Sequence, residues 1–235
     1  MPLFIHQCSK GYLEELVEFP NTAFLEALVD QGVDQNGDGR ISFGEAEACI
    51  SILLGPSGIT DLSGIEAFTN LECLCITLNP LTSLDVSEIP RLHHLQCESC
   101  ELSTLDISRN NNLTELHVGR NRLTTLDLSK NTSLTRMSCD NNLLSRLDLS
   151  NNHGLVFMIS CGNLLTELDI SNNTQLVKIG FDNMPMLHEV CVWTLPFPPP
   201  GVEVLMEYSP NVHFTTDCSI EKKAKGISDR NRPGP

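Results

Sequence analysis

The chain has 235 residues, of which 40% are hydrophobic and only 5% aromatic, so a sizeable core is possible, built on leucine rather than on large rings. Its formal net charge is −15, and because residues 220–235 hold five basic and two acidic side chains, the rest carries 10 basic against 28 acidic. Such a body repels nucleic acid and anionic membranes and attracts cations or basic partners, so no nucleic-acid partner is expected; simple solubility is the plainer use of the charge.

No apolar run approaches the roughly 18–20 residues of a membrane helix, so no membrane insertion is expected. Residues 1–11 lack the positive start and apolar centre of a signal peptide. The protein is therefore either cytoplasmic or exported with its signal already removed. In residues 1–20, Tyr12, Leu13, Leu16 and Val17 suggest one amphipathic turn or helix, of no evident role. Asn21 and Thr22 can then cap a helix whose apolar stripe is Phe24, Leu25, Leu28 and Val29.

An acidic loop follows. Asp34, Asn36 and Asp38 place oxygens at positions 1, 3 and 5 of a twelve-residue segment, and Gly39 permits a sharp turn at position 6. Arg40 offers its backbone carbonyl at 7, Ser42 acts at 9, and Glu45 closes the segment at 12. This matches the EF-hand calcium loop at each diagnostic place, and hard oxygen donors in a flexible ring suit Ca²⁺ better than Mg²⁺. An acidic surface turn without metal is the alternative. A second helix can begin within 45–49, and with only one such loop, Ca²⁺ is expected to be a structural staple. Residues 21–49 are thus read as a helix–calcium loop–helix cap.

From residue 50 onward the sequence repeats. Leu81, Leu102, Leu123, Leu144 and Leu165 are 21 residues apart, with Leu84, Leu105, Leu126, Leu147 and Leu168 three later. Asp85, Asp106, Asp127, Asp148 and Asp169 keep the step, as do Ser87, Ser108, Ser129, Ser150 and Ser171. A second motif is nested between these: Leu71, Leu92, Leu113, Leu134, Leu155 and Leu176, partnered by Leu74, Leu95, Leu116, Met137, Met158 and Ile179. Asn79, Asn121, Asn142 and Asn163 close this half, with Cys100 in one Asn place. One period back the pattern predicts inward residues at 50 and 53, where Ile50 and Leu53 stand; Ile59 and Leu62 begin the other half one residue out of step. Each half reads L-x-x-L-x-L-x-x-N. Its first, fourth and sixth residues point inward, and its Asn turns the chain and serves backbone groups of the neighbouring coil. No coil buries its leucines alone, so several must stack.

The pattern resembles the bacterial leucine-rich repeats in which both half-repeats carry the strand motif, the nested class akin to internalin-like and BspA-like surface proteins. The resemblance covers residues 50–192. It implies a mainly β solenoid, of six to seven coils by the period and with the short helical cap of 21–49 at its N-terminal end, and a secreted or cell-surface recognition protein. It also implies a C-terminal cap over 193–219, where such proteins often end in a cysteine. A Cys191–Cys218 bridge is one reading there, two free thiols the other; Cys8 with Cys49 is a weaker pairing. Residues 220–235 read as a disordered tail from their Lys, Arg, Gly and Pro content.

The two faces differ. The Asp face is monotonous, with Ser83, Thr104, Thr125, Arg146 and Glu167 beside the aspartates. Stacked carboxylates repel, so hydrogen bonds from Ser, Thr and backbone groups are expected to hold them, with bound cations the alternative. The other face varies from copy to copy: Cys73, His94, Glu115, Arg136, Phe157 and Lys178 in one column, and Cys75, Gln96, His117, Ser138, Ile159 and Gly180 in the next. A scaffold needs no variety for its own stability. His94, Gln96, Glu115, His117, Arg136, Phe157, Ile159 and Lys178 are therefore the candidate ligand-binding face, with the mixed anchors and charges of a protein interface. Drift on a solvated surface is the alternative.

A zinc reading of His93, His94, Cys97 and Cys100 fails on register, because Cys97 points inward while His94 points out. No Ser/His/Asp order, nucleophile elbow, phosphate loop or dinucleotide fingerprint is present, and the nearest acid–base group is His94, Glu115 and His117 on adjacent coils. The sequence thus predicts a non-enzymatic, monomeric recognition module for a protein or glycan ligand, with one structural Ca²⁺. A structural spacer or carrier domain is the alternative, and an unrecognised hydrolase a distant third.

Overall fold

In the computed structural model, which describes residues 15–218, the chain winds into a stack of short parallel strands. Helix α1 (Thr22–Asp30) is capped by Asn21, whose side chain accepts the Phe24 N–H at 2.9 Å, and it buries Phe24 and Leu28. Helix α2 (Phe43–Ala48) opens on a capping box between Ser42 and Glu45. Strands β1 (Ser51–Leu54), β2 (Cys73–Ile76), β3 (His94–Gln96), β4 (Glu115–His117), β5 (Arg136–Ser138) and β6 (Phe157–Ile159) follow one per coil. The remaining strands are β7 (Glu167–Asp169), β8 (Lys178–Gly180), β9 (Glu189–Cys191), β10 (Glu203–Leu205) and β11 (His213–Thr215).

Two parallel sheets result. Strands β1–β6, β8 and β10 form an eight-stranded sheet, and β7, β9 and β11 a three-stranded one. The stack therefore has about eight turns rather than six to seven. The difference lies at the C-terminal end, where β10 pairs with β8 and β11 with β9, carrying both ladders past residue 192.

The 21-residue step holds from Cys73↔His94 through Phe157↔Lys178. It does not hold at the first coil. Strand β1 pairs Ser51 with Cys73 and Ile52 with Leu74, a step of 22. Ile52 and Leu54 are buried, whereas Ile50 and Leu53, the residues expected inward, are 59% and 60% exposed. In Ile-Ser-Ile-Leu-Leu two apolar registers are available, and alternation lets only one face the core. Ile59 and Leu62 are both buried, so their one-residue offset belongs to the same longer coil.

Inside, the repeated leucines stack in files, nearly all excluded from solvent. Two rows of asparagine bind the coils together. Asn121 Nδ2 donates to the Cys97 carbonyl at 2.7 Å, while its Oδ1 accepts the Cys100 and Leu102 N–H groups. Asn79, Asn142 and Asn163 repeat the arrangement. Cys100 fills an Asn place by donating its thiol to the Ile76 carbonyl at 2.8 Å. The second row, Asn110, Asn131, Asn152 and Asn173, donates to two carbonyls each, and the Oδ1 atoms have no partner.

The N-terminal cap is completed by chain preceding α1. Val17 N–H donates to the Ile41 carbonyl and Phe43 N–H to the Glu15 carbonyl, both at 2.9 Å. Leu16 forms an antiparallel bridge with Ser42, so Leu16 and Val17 are extended rather than helical. Tyr12, Leu13, Cys8 and the tail over 220–235 lie outside the described residues.

Candidate functional site

The outward side of the eight-stranded sheet gathers the varied columns. Parallel pairing puts His94 opposite Glu115, and Glu115 opposite Arg136. Glu115 is the centre of a small charged group. Its Oε2 lies 3.2 Å from His94 Nδ1 and 3.8 Å from His117 Nε2, and its Oε1 lies 3.8 Å from Arg136 Nε. The His94 and His117 rings are tilted at a centroid distance of 5.6 Å. Gln96 points along its own strand to Glu98 at 3.3 Å.

Further along, Phe157 stands between Arg136 and Lys178 in the register, and Lys178 Nζ pairs with Glu203 at 3.0 Å. Ile159 is half-buried because the next coil offers Gly180. A Cβ on Gly180 would meet Ile159 Cδ1 at 2.7 Å and Cys161 Sγ at 2.9 Å, so glycine lets both side chains lie across it. The eight candidate residues thus fall into a charged group (His94, Glu115, His117, Arg136) and an apolar step (Phe157, Ile159), with Gln96 and Lys178 engaged by glutamates.

The opposite face is held as a structure. In each of Asp85, Asp106, Asp127, Asp148 and Asp169, Oδ1 accepts the N–H of the serine two residues on, at 2.9 Å every time. Hydrogen bonds from the Ser backbone and hydroxyl hold the Asp85, Asp106, Asp127 and Asp148 carboxyls below the usual range. Shallow depressions on this side, such as the one between Arg146, Asp148, Glu167 and Asp169, are gaps between coils where short turns replace continuous strands.

The 34–45 loop is folded around its own acceptors. Asp34 accepts the N–H groups of Gly37, Asp38 and Gly39; Asn36 accepts that of Asp38, and Asp38 that of Arg40. Gly37 and Gly39 have φ of 75° and 78°, a region glycine enters without steric cost. Glu45 Oε1 receives the Gln35 and Asn36 N–H groups, and its Oε2 receives the Ser42 N–H and hydroxyl. Burial pulls the Glu45 carboxyl up, but these donors, Ser42 first, outweigh it and hold it below its ordinary value.

Comparison with solved structures decides what this architecture is. An internalin (InlF) from Listeria monocytogenes superposes with a TM-score of 0.65 at 22% identity over 78% of this chain. An internalin C2 from the same species gives 0.56 at 18% identity over 84%, and a leucine-rich-repeat protein of Leptospira interrogans gives 0.53 at 19% over 73%. The chain is a leucine-rich-repeat solenoid. It spans 60%, 94% and 49% of those three chains respectively. No family model and no curated protein matches the sequence. Among the described residues of the solenoid, no helix is long and apolar enough to cross a membrane.

One further feature of the solenoid is not anticipated by reading its columns one at a time. Cys73 and Cys75 share the outward side of β2 with Sγ atoms 3.8 Å apart, and Cys73 is the register partner of His94. Burial, with the neighbouring Cys73, pushes the Cys75 thiol up to about 12. Reading the two columns side by side rather than one at a time would have found this group. By contrast Cys97 and Cys100 are fully buried in the core. At the far end Cys191, on β9, is bridged to Cys218 with a Cα separation of 5.4 Å.

Proposed function

We propose that this solenoid is a non-catalytic recognition module of a secreted or surface-exposed protein, binding a protein or glycan ligand on the outward face of the eight-stranded sheet. One observation carries the reading: the two faces of one scaffold are built to different rules. Every copy of the Asp face repeats the same hydrogen bond between Asp and Ser. On the sheet face no two coils from β2 to β6 carry the same pair of outward side chains. There Phe157 and Ile159 supply apolar contact area beside Arg136, whose side chain is 56% exposed. Aromatic and Arg anchors set among satisfied polar neighbours are the usual makings of an interface hot spot.

The same proposal puts one structural Ca²⁺ in the 34–45 loop. Asp34, Asn36, Asp38, Ser42 and Glu45, with the Arg40 carbonyl, would together supply an all-oxygen donor set with three carboxylates, which suits a hard divalent cation. The ion would supply no chemistry beyond joining α1 to α2 above the first coil.

The test is a pull-down with the intact protein from host or bacterial surface extract, run beside Phe157→Ala and Arg136→Ala. A ligand retained by the parent and lost by both variants, at unchanged melting temperature, supports the reading. Equal capture by the variants removes this face and leaves a spacer or carrier role.

A further inference from the structure

We propose that Cys73, Cys75 and His94 form a zinc site at the N-terminal end of the sheet face, with Glu115 orienting the imidazole and the fourth coordination position left to solvent. The site stands independently of the recognition reading, since it requires only the side chains of three adjacent coils.

The geometry comes first. Alternation along β2 sends Leu74 and Ile76 into the core and leaves Cys73 and Cys75 side by side on the outer surface. Two thiolates at about 2.3 Å from a tetrahedral zinc ion are separated by about 3.8 Å. The two sulfurs already stand 3.8 Å apart. Parallel pairing sets His94 directly opposite Cys73, and both sulfurs and one His94 nitrogen lie within 4.8 Å of one another. A small change of side-chain rotamer draws all three onto one ion without moving the backbone.

Chemistry selects the ion. Two thiolates and an imidazole are soft or borderline donors, suited to Zn²⁺ and unsuited to Ca²⁺ or Mg²⁺. Binding forms two Zn–S bonds and one Zn–N bond and releases one proton from each thiol, with no electron transferred. The two thiolates then cancel the charge of the ion.

Glu115 supplies the support that a histidine ligand normally has. Its Oε2 lies 3.2 Å from His94 Nδ1, which fixes the proton there and leaves Nε2 to coordinate. Arg136 and His117, each 3.8 Å from a Glu115 oxygen, hold the carboxylate in place. His94, Glu115 and His117 also lie within coordinating distance of one another, but this second group shares His94, so a single ion is accommodated. Cys73, Cys75, His94, Glu115 and His117 are half-buried, shielded yet open to an incoming ion.

The experiment uses the full chain, stripped by chelator under anaerobic conditions with its Cys191–Cys218 bridge intact, since the opened thiols beside Asp169 would offer a competing site, and with Ca²⁺ added in excess to occupy the acidic loop. Titration with Co²⁺ should give one equivalent showing thiolate-to-cobalt charge transfer in the near ultraviolet and the visible bands of a tetrahedral ion. One equivalent of Zn²⁺ should bleach both. The Cys73→Ser/Cys75→Ser double variant should lose the bands. Glu115→Gln should keep them while weakening Zn²⁺ binding about 10–100-fold. Cys161→Ser, on the same face but four coils from Cys73 and Cys75, should change nothing. Absence of charge transfer, or its survival in the double variant, overturns the site. Circular dichroism and metal-free melting check the fold of each variant. Should the double variant fail to fold, His94→Ala stands in, and wild-type zinc affinity in it is equally fatal.

Discussion

The Leu78 N–H donates to the Glu98 carbonyl at 3.0 Å across one coil, and it does so from a left-handed backbone with φ of 58°. The same turn recurs every 21 residues, at Ser99, Arg120, Asn141, Gly162 and Asn183, each donating to the following coil. The turn brings the chain round so that the ladder Asn beside it faces inward. Left-handed backbone costs a side-chain-bearing residue about 1–2 kcal/mol, and Asn tolerates it better than Leu. Leu78 is also largely exposed. Leu78→Asn should therefore raise stability by about 0.5–1 kcal/mol, read from urea unfolding. Gly162→Ala should act in the opposite sense, because a Cβ there would come within 2.7 Å of Asn141 Oδ1. A destabilised Leu78→Asn would show that the exposed leucine packs usefully.

The asparagine rows predict a larger effect. Asn131 Nδ2 satisfies the Ile107 carbonyl at 3.1 Å and the Asn110 carbonyl at 2.9 Å, both deep in the stack. Alanine there strands two buried acceptors, at about 1–3 kcal/mol each. Asn131→Ala should lose about 2–5 kcal/mol by denaturant titration and shed hydrogen-exchange protection in the flanking coils. In the other row, Asn121→Cys should cost less than Asn121→Ala, since Cys100 shows that a thiol can make the bond to the preceding coil.

These rows also mark how far the sequence can be read. Inward positions must be apolar and ladder positions must donate, so the 21-residue period, the two faces and the position of Cys100 are all visible in the letters. The first coil is not, because Ile50 and Leu53 offer a second apolar register beside Ile52 and Leu54, and only packing selects between them. The offset of Ile59 and Leu62 held the clue. Strands β10 and β11 escape because they pair at steps of 25 and 24 through a proline-rich stretch. The grouping of Cys73 and Cys75 with His94 escapes for another reason: Cys75 stands in a different column from Cys73 and His94, while a repeat is naturally read down each one.

The Asp face makes the fold sensitive to acid. Asp85, Asp106, Asp127 and Asp148 have carboxyls held below their usual range by Ser hydrogen bonds. A carboxyl depressed in the folded state stabilises above the unfolded value, about 3.9, and this is lost as pH falls through the folded value. Melting should therefore hold steady from neutral pH to about 5 and fall below about 4. Protonation elsewhere relieves the negative charge of the body and acts in the opposite sense. The comparison of wild type with Asp127→Asn separates the two, since Asn keeps an acceptor for Ser129 without titrating. The variant should lose less stability than wild type in acid; parallel curves would place the acid sensitivity elsewhere.

The N-terminal cap yields the last test. Glu15–Val17 runs antiparallel to the acidic loop, with Val17 bonded to Ile41 and Phe43 to Glu15, so the edge of this single loop is paired by the chain's own leading segment instead of a second loop. Ile41 is fully buried, which ties the loop to the core beneath α1. A cation bound by Asp34, Asp38 and Glu45 would thus stabilise the end of the solenoid rather than switch it. Calorimetry of the chelator-treated protein should show one strong Ca²⁺ site. At 100 times the dissociation constant the gain should be about 2.7 kcal/mol, or about 5–10 °C in melting temperature for a chain of this size. Glu45 already accepts four hydrogen bonds within the cap, so Glu45→Gln should lower stability even without metal. The informative quantity is therefore the increment on adding Ca²⁺, which should vanish in Asp34→Asn/Glu45→Gln and be reversed by chelator in wild type. An increment of the same size in that variant would remove the loop as the calcium site.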